Sequence, residues 1–379
     1  MKIDGDRTKK NQTASAAAEQ KGRKRLEIRH TLSKYSQQLF LGAVIILLGI
    51  VLSIQSEYFL TIGNFINIAD ACGYRLIVAV GMTVIMASGV MDLSAGSIVS
   101  LAGVITAYLL HAGAGIPAAV AAGLMIGIVA GIANGLLIHY TKISFFIITL
   151  AMSGMLRGLS LIITDGRPIT RFGAEFMFIG TGRLGGIQLS VYLAALTAIA
   201  AAIAMSKSRW GSSIKTIGSN EEALRKCGVN TVKYRVSVQA VMGLAAAVTA
   251  VIITARLNSA EPNAGLNMEL DAITAAAMGG TPITGGKACI GGTVLAIIIL
   301  GMIRNGLTLM SVPSDYQQWI TGFLLLVSVL VSGIRIKNNK TTADKKGGQN
   351  EKITCNASER GNDGGAFGRM FRRFGQDRR

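Results

Sequence analysis

The chain has 379 residues, of which 50% are hydrophobic and only 15% are charged, and its formal net charge is +18. Soluble domains carry about 25% charged residues, so this composition excludes an ordinary water-soluble protein. Stretches of about 17 or more mostly apolar residues recur along the chain, and each is long enough to cross the hydrocarbon core of a bilayer. We expect an all-α, polytopic membrane protein.

The net positive charge comes from three segments, and in the rest of the chain the Lys and Arg residues are balanced by Asp and Glu. Residues 1–38 have a net charge of +6, residues 206–235 of +5 and residues 334–379 of +7. Lys and Arg stay on the cytoplasmic side of membrane proteins, which explains this segregation. We therefore expect 1–38 and 334–379 to be disordered basic cytoplasmic tails around a transmembrane domain at 39–333. No nucleic-acid motif accompanies the charge.

Taken in chain order, the apolar runs predict about ten crossings with both termini in the cytoplasm. The first run, residues 39–55, has no small-residue cleavage site after it and is interpreted as an uncleaved span. Residues 62–72 are expected to form a short interfacial piece, separate from a crossing at 74–90. Further crossings are predicted at 101–110, 117–138, 145–163, 188–205, 236–254, 290–309 and 319–333, with a short, broken crossing at 272–280.

Polar segments separate these spans, and one run of glycines predicts close helix packing. Residues 164–186 and 256–271 are expected to be polar segments outside. Residues 206–235 follow six crossings and so fall in the cytoplasm, in agreement with their charge. The glycines lie at four-residue steps and predict a smooth helix face for close contact: Gly123, Gly127, Gly131 and Gly135.

The cytoplasmic segment contains the start and stop signals of a short helix. Asn220 is a favourable N-cap, Glu221 and Glu222 follow in the first turn, Arg225 lies in the last turn and Gly228 terminates it. A two-turn helix is marginal in water, because nucleation costs more than two turns return. It must therefore pack either on the protein's own membrane surface or on another protein.

Three acidic residues lie close to Gly-rich breaks in the membrane blocks: Asp92, Glu269 and Asp271. Asp92 or Ser94 can cap the following helix, and carboxylates at helix N-termini are favourable there. Capping, contact with a transported molecule and ion coupling all remain open for these residues, since buried charges in spans are costly and retained for a reason.

No enzyme or metal-site motif stands out. The segment TPITGGKA at 281–288 lacks the first Gly and the final Ser or Thr of a phosphate-binding loop. We expect no catalytic residue, no metal site and no disulfide framework, because the Cys and His residues are scattered. They are Cys72, Cys227, Cys289, Cys355, His30, His111 and His139.

Several motifs together resemble one family of membrane transporters. Glu222-Ala223 followed by Gly228 is similar to the Glu-Ala-Ala…Gly loop of bacterial ABC-importer permeases. GMTVIMASGVMDLSAGS at 81–97, RGLSLIITDGRPI at 157–169 and NGLTLM at 305–310 resemble the permeases for ribose, xylose, galactose and related sugars. So does ARLNSAEPNAGLNMELDAITAAAMGGTPITGGKACIGGT at 255–293. The resemblance covers roughly residues 40–333.

The resemblance implies a non-enzymatic permease of the bacterial cytoplasmic membrane that imports a ribose-like sugar. It implies a second permease subunit, identical or different, a cytosolic ABC ATPase that holds the ATP and Mg²⁺, and an extracytoplasmic binding protein. No cofactor is expected in this chain. Nucleosides or branched-chain amino acids are alternative substrates, and an ion-coupled secondary carrier is an alternative mechanism. The ATPase would dock on Asn220, Glu221, Glu222, Ala223, Arg225 and Gly228; the pathway would be lined or shaped by Asp92, Ser94, Asn258, Glu269 and Asp271.

Overall fold

The computed structural model describes residues 37–313, 316–317, 319–320, 322–323 and 326–327. Apart from four two-residue strands, the regular structure of these residues is helical. The helices are α1 (Gln37–Gln55), α2 (Ile62–Ala87), α3 (Ala95–His111), α4 (Ile116–Thr141), α5 (Phe145–Thr164), α6 (Ala174–Thr181), α7 (Leu189–Lys207), α8 (Arg209–Lys226), α9 (Thr231–Leu257), α10 (Met268–Met278) and α11 (Ile290–Leu309). The strands are β1 (Ile169–Thr170), β2 (Arg183–Leu184), β3 (Ile187–Gln188) and β4 (Ser259–Ala260).

Seven of these helices are long and apolar enough to cross a membrane, namely α1, α2, α4, α5, α7, α9 and α11. The prediction of a helical, multi-pass membrane protein is therefore confirmed. The count of ten crossings and the cytoplasmic position of both termini stay predictions. Most of the predicted span at 319–333, the tail at 334–379 and residues 1–36 lie outside the described residues.

Helix α2 is the central helix, and here the predicted division of the chain is wrong. Residues 62–87 form one continuous helix, instead of an interfacial piece at 62–72 followed by a crossing at 74–90. Gly73 lies inside this helix without interrupting it. Its missing side chain lets α7 approach closely, since a Cβ there would lie 3.0 Å from Ser190 Oγ. Sixteen of the 26 residues of α2 are buried, so other helices surround it.

Helices α4 and α9 meet along the predicted glycine face. A Cβ on Gly127 would overlap the carbonyl oxygen of Gly243, and one on Gly131 would overlap that of Gln239. Gly135 likewise approaches the Cα of Val236 of α9. Gly123, at the other end of this face, meets Thr106 of α3. Small residues thus bring the helix backbones into contact, as in other membrane proteins.

The two segments predicted to be polar and external contain short strands and a helix. β1 pairs antiparallel with β4, with Ile169 opposite Ala260. β2 and β3 form a hairpin across Gly185 and Gly186, whose φ angles of +57° and +85° suit a tight two-residue turn. The β1–β4 pair joins the segment at 164–188 to the segment that follows α9.

Helix α10 is too short to cross the membrane. α10 begins at Met268, four residues earlier than predicted, and ends before Gly280, whose φ is +99°. Pro282 follows and cannot continue a helix. The interruption predicted from the Gly-rich sequence is therefore present, and 11 residues are too few to cross a bilayer at about 1.5 Å per residue.

Candidate functional site

The charged segment between α7 and α9 is a helix with a break. α8 is non-helical at Asn220, where φ is −162° and ψ is 91°, so a helical part before Asn220 is separated from a second part after it. Asn220 Oδ1 accepts a hydrogen bond from the backbone N–H of Ala223 at 3.0 Å and caps the second part. Gly228 ends it with a φ of +78°. The predicted two-turn helix is confirmed, and we call residues 220–228 the capped segment.

The first part of α8 was not predicted, and it fastens the segment to the bundle. Its buried residues are Gly211, Ile214 and Ile217, and a Cβ on Gly211 would overlap the carbonyl oxygen of Ala204 in α7. Trp210 Nε1 donates to Ser237 Oγ of α9 at 2.8 Å. The capped segment is therefore the exposed end of an anchored helix and not an isolated two-turn helix.

The two glutamates of the capped segment face different surroundings. Glu221 forms a double hydrogen bond with Arg235 of α9, in which Arg235 Nε lies 3.1 Å from Oε1. This hydrogen bond holds the pKa of the Glu221 carboxyl below its usual value. Glu222 pairs at 3.0 Å with Lys226, and both side chains are more than half exposed. Glu221 therefore holds the segment to α9, whereas Glu222 faces solvent.

A groove of about 480 Å³ lies between the capped segment and the start of α9. Glu222 and Arg225 stand on its rim, and His139 at the end of α4 contributes one wall. Ala223, Arg225 and Gly228 are exposed, and within the described part of the chain Arg225 has no ion-pair partner. This arrangement leaves a charged, concave surface available to another protein.

A fully buried polar cluster joins the bend at 88–94 to α4. Asp92 Oδ1 accepts hydrogen bonds from the backbone N–H and hydroxyl of Ser94, at 2.8 and 2.6 Å. Asn134 Nδ2 donates to Ser94 Oγ at 2.8 Å. The predicted capping of α3 is wrong, because Ser94 makes no side-chain cap bond and Asp92 binds Ser94 instead of the free helical N–H groups.

Glu269, in the first turn of α10, lies beside the start of α3. Its Oε2 is buried and, among the described residues, has no hydrogen-bond partner. A Cβ on Gly96 would overlap this oxygen. The charges of Arg157 and Asp92 are close enough to interact with Glu269, and Arg157 also donates to Pro262 O at 3.2 Å. Ionisable groups from three segments thus converge near the N-terminus of α3.

The other two predicted pathway residues have structural partners elsewhere. Asp271 forms an ion pair with Arg304 of α11 at 2.5 Å, and both side chains are mostly buried. Asn258 ends α9 with a φ of +51°, and its Oδ1 accepts from the backbone N–H of Phe172 at 2.8 Å. The structure therefore brings Asp92, Ser94 and Glu269 into one neighbourhood. The charge of Asp271 also acts on Glu269, whereas Asn258 bonds the segment before α6.

Comparison with known proteins gives this architecture a family. Residues 64–329 match the family described as "Branched-chain amino acid transport system / permease component". The chain belongs to this permease family. It is a multi-pass protein of the cytoplasmic membrane and a transporter component.

Individual permeases match over most of their length. The ribose import permease of Escherichia coli (strain K12) is 36% identical over 299 residues, which are 78% of this chain and 93% of that protein. The ribose import permease of Bacillus subtilis (strain 168) is 37% identical over 294 residues, or 77% and 91% of the two chains. The L-arabinose permease of E. coli (strain K12) is 33% identical, over 75% and 86%. No solved structure matches this permease.

Sequence reasoning missed the partners of the buried charges in this permease. Asn134 lies on a smooth Gly-rich helix, and nothing near it in sequence indicates that it binds Ser94. Asp70 is buried in α2, and its Oδ2 lies 3.2 Å from the guanidinium of Arg183. Arg256 Nη1 donates to the backbone carbonyl of Asp70 at 3.0 Å. An acidic residue inside an apolar helix was the available signal for this site.

Proposed function

We propose that this permease is the membrane-spanning subunit of an ATP-driven importer for a ribose-like monosaccharide. The observation that supports this proposal most directly is the capped segment, a helix that is anchored at one end and exposed at the other, with the exposed Glu222 and Arg225 lining a groove. The names of the similar permeases specify ribose and L-arabinose. Ribose and arabinose are therefore the first substrates to test.

In this proposal a cytosolic ATPase docks on the capped segment and an extracytoplasmic binding protein delivers the sugar. The ATPase holds the ATP and Mg²⁺, and this chain holds no cofactor and performs no chemistry. A second permease subunit, identical or different, completes the pathway. Ten crossings with the basic ends 1–38 and 334–379 in the cytoplasm place residues 206–235 on the side of the ATPase.

The transport cycle follows from linkage between two states. ATP binding closes the ATPase pair, and the capped segment moves with it. The transport pathway between the permease subunits then opens to the other side of the membrane. In this proposal Asp92 and Ser94, which bond each other, shape the pathway, and Glu269, whose Oε2 has no hydrogen-bond partner among the described residues, lines it. We assign to Asp271 and Asn258 the task of holding the helices and the outer strands in place, through the ion pair with Arg304 and the hydrogen bond from Phe172.

Reversal of two charges tests the docking assignment. The double variant Glu222→Lys/Arg225→Glu keeps the net charge and changes the pattern on the rim. We expect it to insert into the membrane at the normal level, to lose the co-purifying ATPase and to lose sugar uptake. The matched control Arg167→Glu/Glu175→Lys alters exposed charges on the opposite side and should keep the ATPase. ATP-driven uptake retained by the first variant contradicts the assignment.

Two rival functions give different results in the same assay. The family description names branched-chain amino acids, so leucine and a nucleoside are tested beside ribose and arabinose. Uptake of leucine alone, without sugar uptake, overturns the proposed substrate class. Uptake that survives ATP depletion and collapses with the membrane potential favours an ion-coupled carrier and overturns the ATP-driven mechanism.

A further inference from the structure

Three backbone segments meet in close contact next to the capped segment. The backbone N–H of Gly286, in the turn between α10 and α11, donates to Ala87 O at the end of α2 at 2.9 Å. A Cβ on Gly218 of α8 would overlap Ala87 O and would lie 2.5 Å from Gly286 N. One on Gly285 would lie 2.6 Å from Gly89 N. We call these five residues the glycine junction.

Close contact, and not backbone conformation, explains the glycine at position 218. Gly89, Gly285 and Gly286 have φ angles of +79°, +85° and +87°, which glycine adopts at little cost. Gly218 lies within α8 and has no positive φ. A glycine in a helix interior costs roughly 0.5–1 kcal/mol relative to alanine. The overlap that a Cβ would meet is the reason for a glycine at this position.

The glycine junction lies close in sequence both to the capped segment and to the buried polar cluster around Asp92. Gly218 lies two residues before the break at Asn220, where the anchored part of α8 gives way to the capped segment. Gly89 lies three residues before Asp92, the centre of the buried polar cluster. Gly285 and Gly286 lie in the turn that separates α10 from α11. A displacement of α8 at Gly218 therefore pushes directly on the bend at 88–94 and on this turn.

We propose that the glycine junction is the rigid contact that transmits movement of the capped segment to the bend at 88–94 and to the turn between α10 and α11. This inference rests on the proposed function. Backbone atoms in direct contact move together, because neither side has a flexible side chain that can absorb the displacement. Gly218 is in this view a positioning residue for transport, without contact with the sugar or with the ATPase.

The variant Gly218→Ala tests the junction in the full complex. The added methyl group must push α8 away from Ala87 and Gly286, while the surface of the capped segment stays unchanged. We expect the ATPase to co-purify at the wild-type level and ATP hydrolysis to continue, and the sugar taken up per ATP to fall at least tenfold. The matched control is Gly42→Ala in α1, where a Cβ meets nothing within 4 Å, and its ratio should stay within twofold of wild type.

The outcomes separate this inference from the proposed function. An unchanged ratio of sugar to ATP in Gly218→Ala overturns the junction and leaves the docking assignment standing. Failure of the wild-type permease to bind any ATPase overturns both. If Gly218→Ala loses both uptake and the ATPase, the effect lies in docking, and the junction is again overturned.

A cross-link provides a second test that does not depend on the folding of Gly218→Ala. A Cβ at position 286 lies 3.6 Å from the Cβ of Ser219, within the range of disulfides. The pair Ser219→Cys/Gly286→Cys is made in a variant without the native cysteines, and its oxidised and reduced forms are compared. A contact that stays closed predicts that both forms take up sugar, and at the same rate, although a Cys at position 286 must adopt a positive φ. Uptake lost on oxidation and recovered on reduction means that the surfaces separate, which overturns the proposal.

Discussion

The glycines of the α4–α9 interface are in close contact with a neighbouring helix, whereas the capped segment exposes its glycine and its charged side chains. In the interface, Gly127 and Gly131 bring two backbones so close that any side chain would overlap a carbonyl oxygen. In the capped segment, Gly228 meets nothing within 4 Å, and Glu222 and Arg225 are exposed. The first surface is closed to any further partner, and the second is open to one.

This difference follows from the solvent around each region. Lipid tails are as apolar as the helices, so helix association in the membrane depends on close packing of small residues. In water, a two-turn helix is marginal alone and needs a partner or an anchor. Here the first part of α8 and the Glu221–Arg235 pair supply the anchor.

The largest expected effect is at the closed interface. Gly131→Leu places a branched side chain against the backbone of Gln239, so α4 and α9 must separate. We expect the variant to lose its monodisperse peak in size-exclusion chromatography in detergent. The matched variant Gly158→Leu, at a glycine of α5 with open space around it, should keep the peak. Equal profiles for the two variants would show that the backbone contact is dispensable.

The second prediction compares two ion pairs. Asp271→Asn leaves the mostly buried Arg304 without its carboxylate, and removing one partner of a buried pair costs about 3–5 kcal/mol. Lys226→Gln breaks the exposed pair with Glu222, which is worth about 0.5 kcal/mol or less. The shift in unfolding temperature of each variant, measured in detergent, compares the two losses of stability. A shift for Lys226→Gln as large as that for Asp271→Asn would contradict the contrast.

The third prediction concerns the cap at the break in α8. Asn220→Ala removes the acceptor for the N–H of Ala223, which costs about 1 kcal/mol of helix stability. Affinity for the ATPase should then fall about fivefold, because the docking helix must form before it binds. Asn220→Asp restores an acceptor and should restore binding. Unchanged affinity in Asn220→Ala would mean that the cap has no part in docking.

The smallest expected effect is a pH dependence of the anchor. The folded pKa of Glu221 lies below its unfolded value, so the pair with Arg235 stabilises the segment above the unfolded pKa. That stabilisation is lost as the pH falls through the folded pKa. A spin label on the exposed Cys227 should become more mobile only in strongly acidic buffer, and in Glu221→Gln it should be mobile at every pH. Equal mobility in the two proteins at pH 7 would remove Glu221 from the anchor.

The sequence predicts those elements whose bounds are set by hydropathy and by helix-capping residues. The bounds of α11 agree with the predicted span, and Asn220 and Gly228 begin and end the capped segment as their cap preferences indicate. Hydropathy could not find the first part of α8, because that part is polar on average and is held by contacts with α7 and α9.

Pairings across the bundle are the part that the sequence does not reveal. Ser94 and Asn134 are 40 residues apart and meet only because α4 lies against the bend at 88–94. Asp271 lies beside a Gly-rich break in the sequence, and its ion pair with Arg304, 33 residues away, becomes visible only in the structure. The predicted division between 62–72 and 74–90 falls at Gly73, where the structure has close contact with α7 and no break.

The central claim is that the capped segment is the docking surface for the ATPase. A photo-reactive amino acid at Ala223, which is exposed in that segment, tests it in cells that actively take up ribose. The account predicts a cross-link to a protein that mass spectrometry identifies as an ABC ATPase, and no such cross-link from the exposed Tyr192 of α7. Absence of the ATPase from the Ala223 product, or equal capture from Tyr192, would contradict the account.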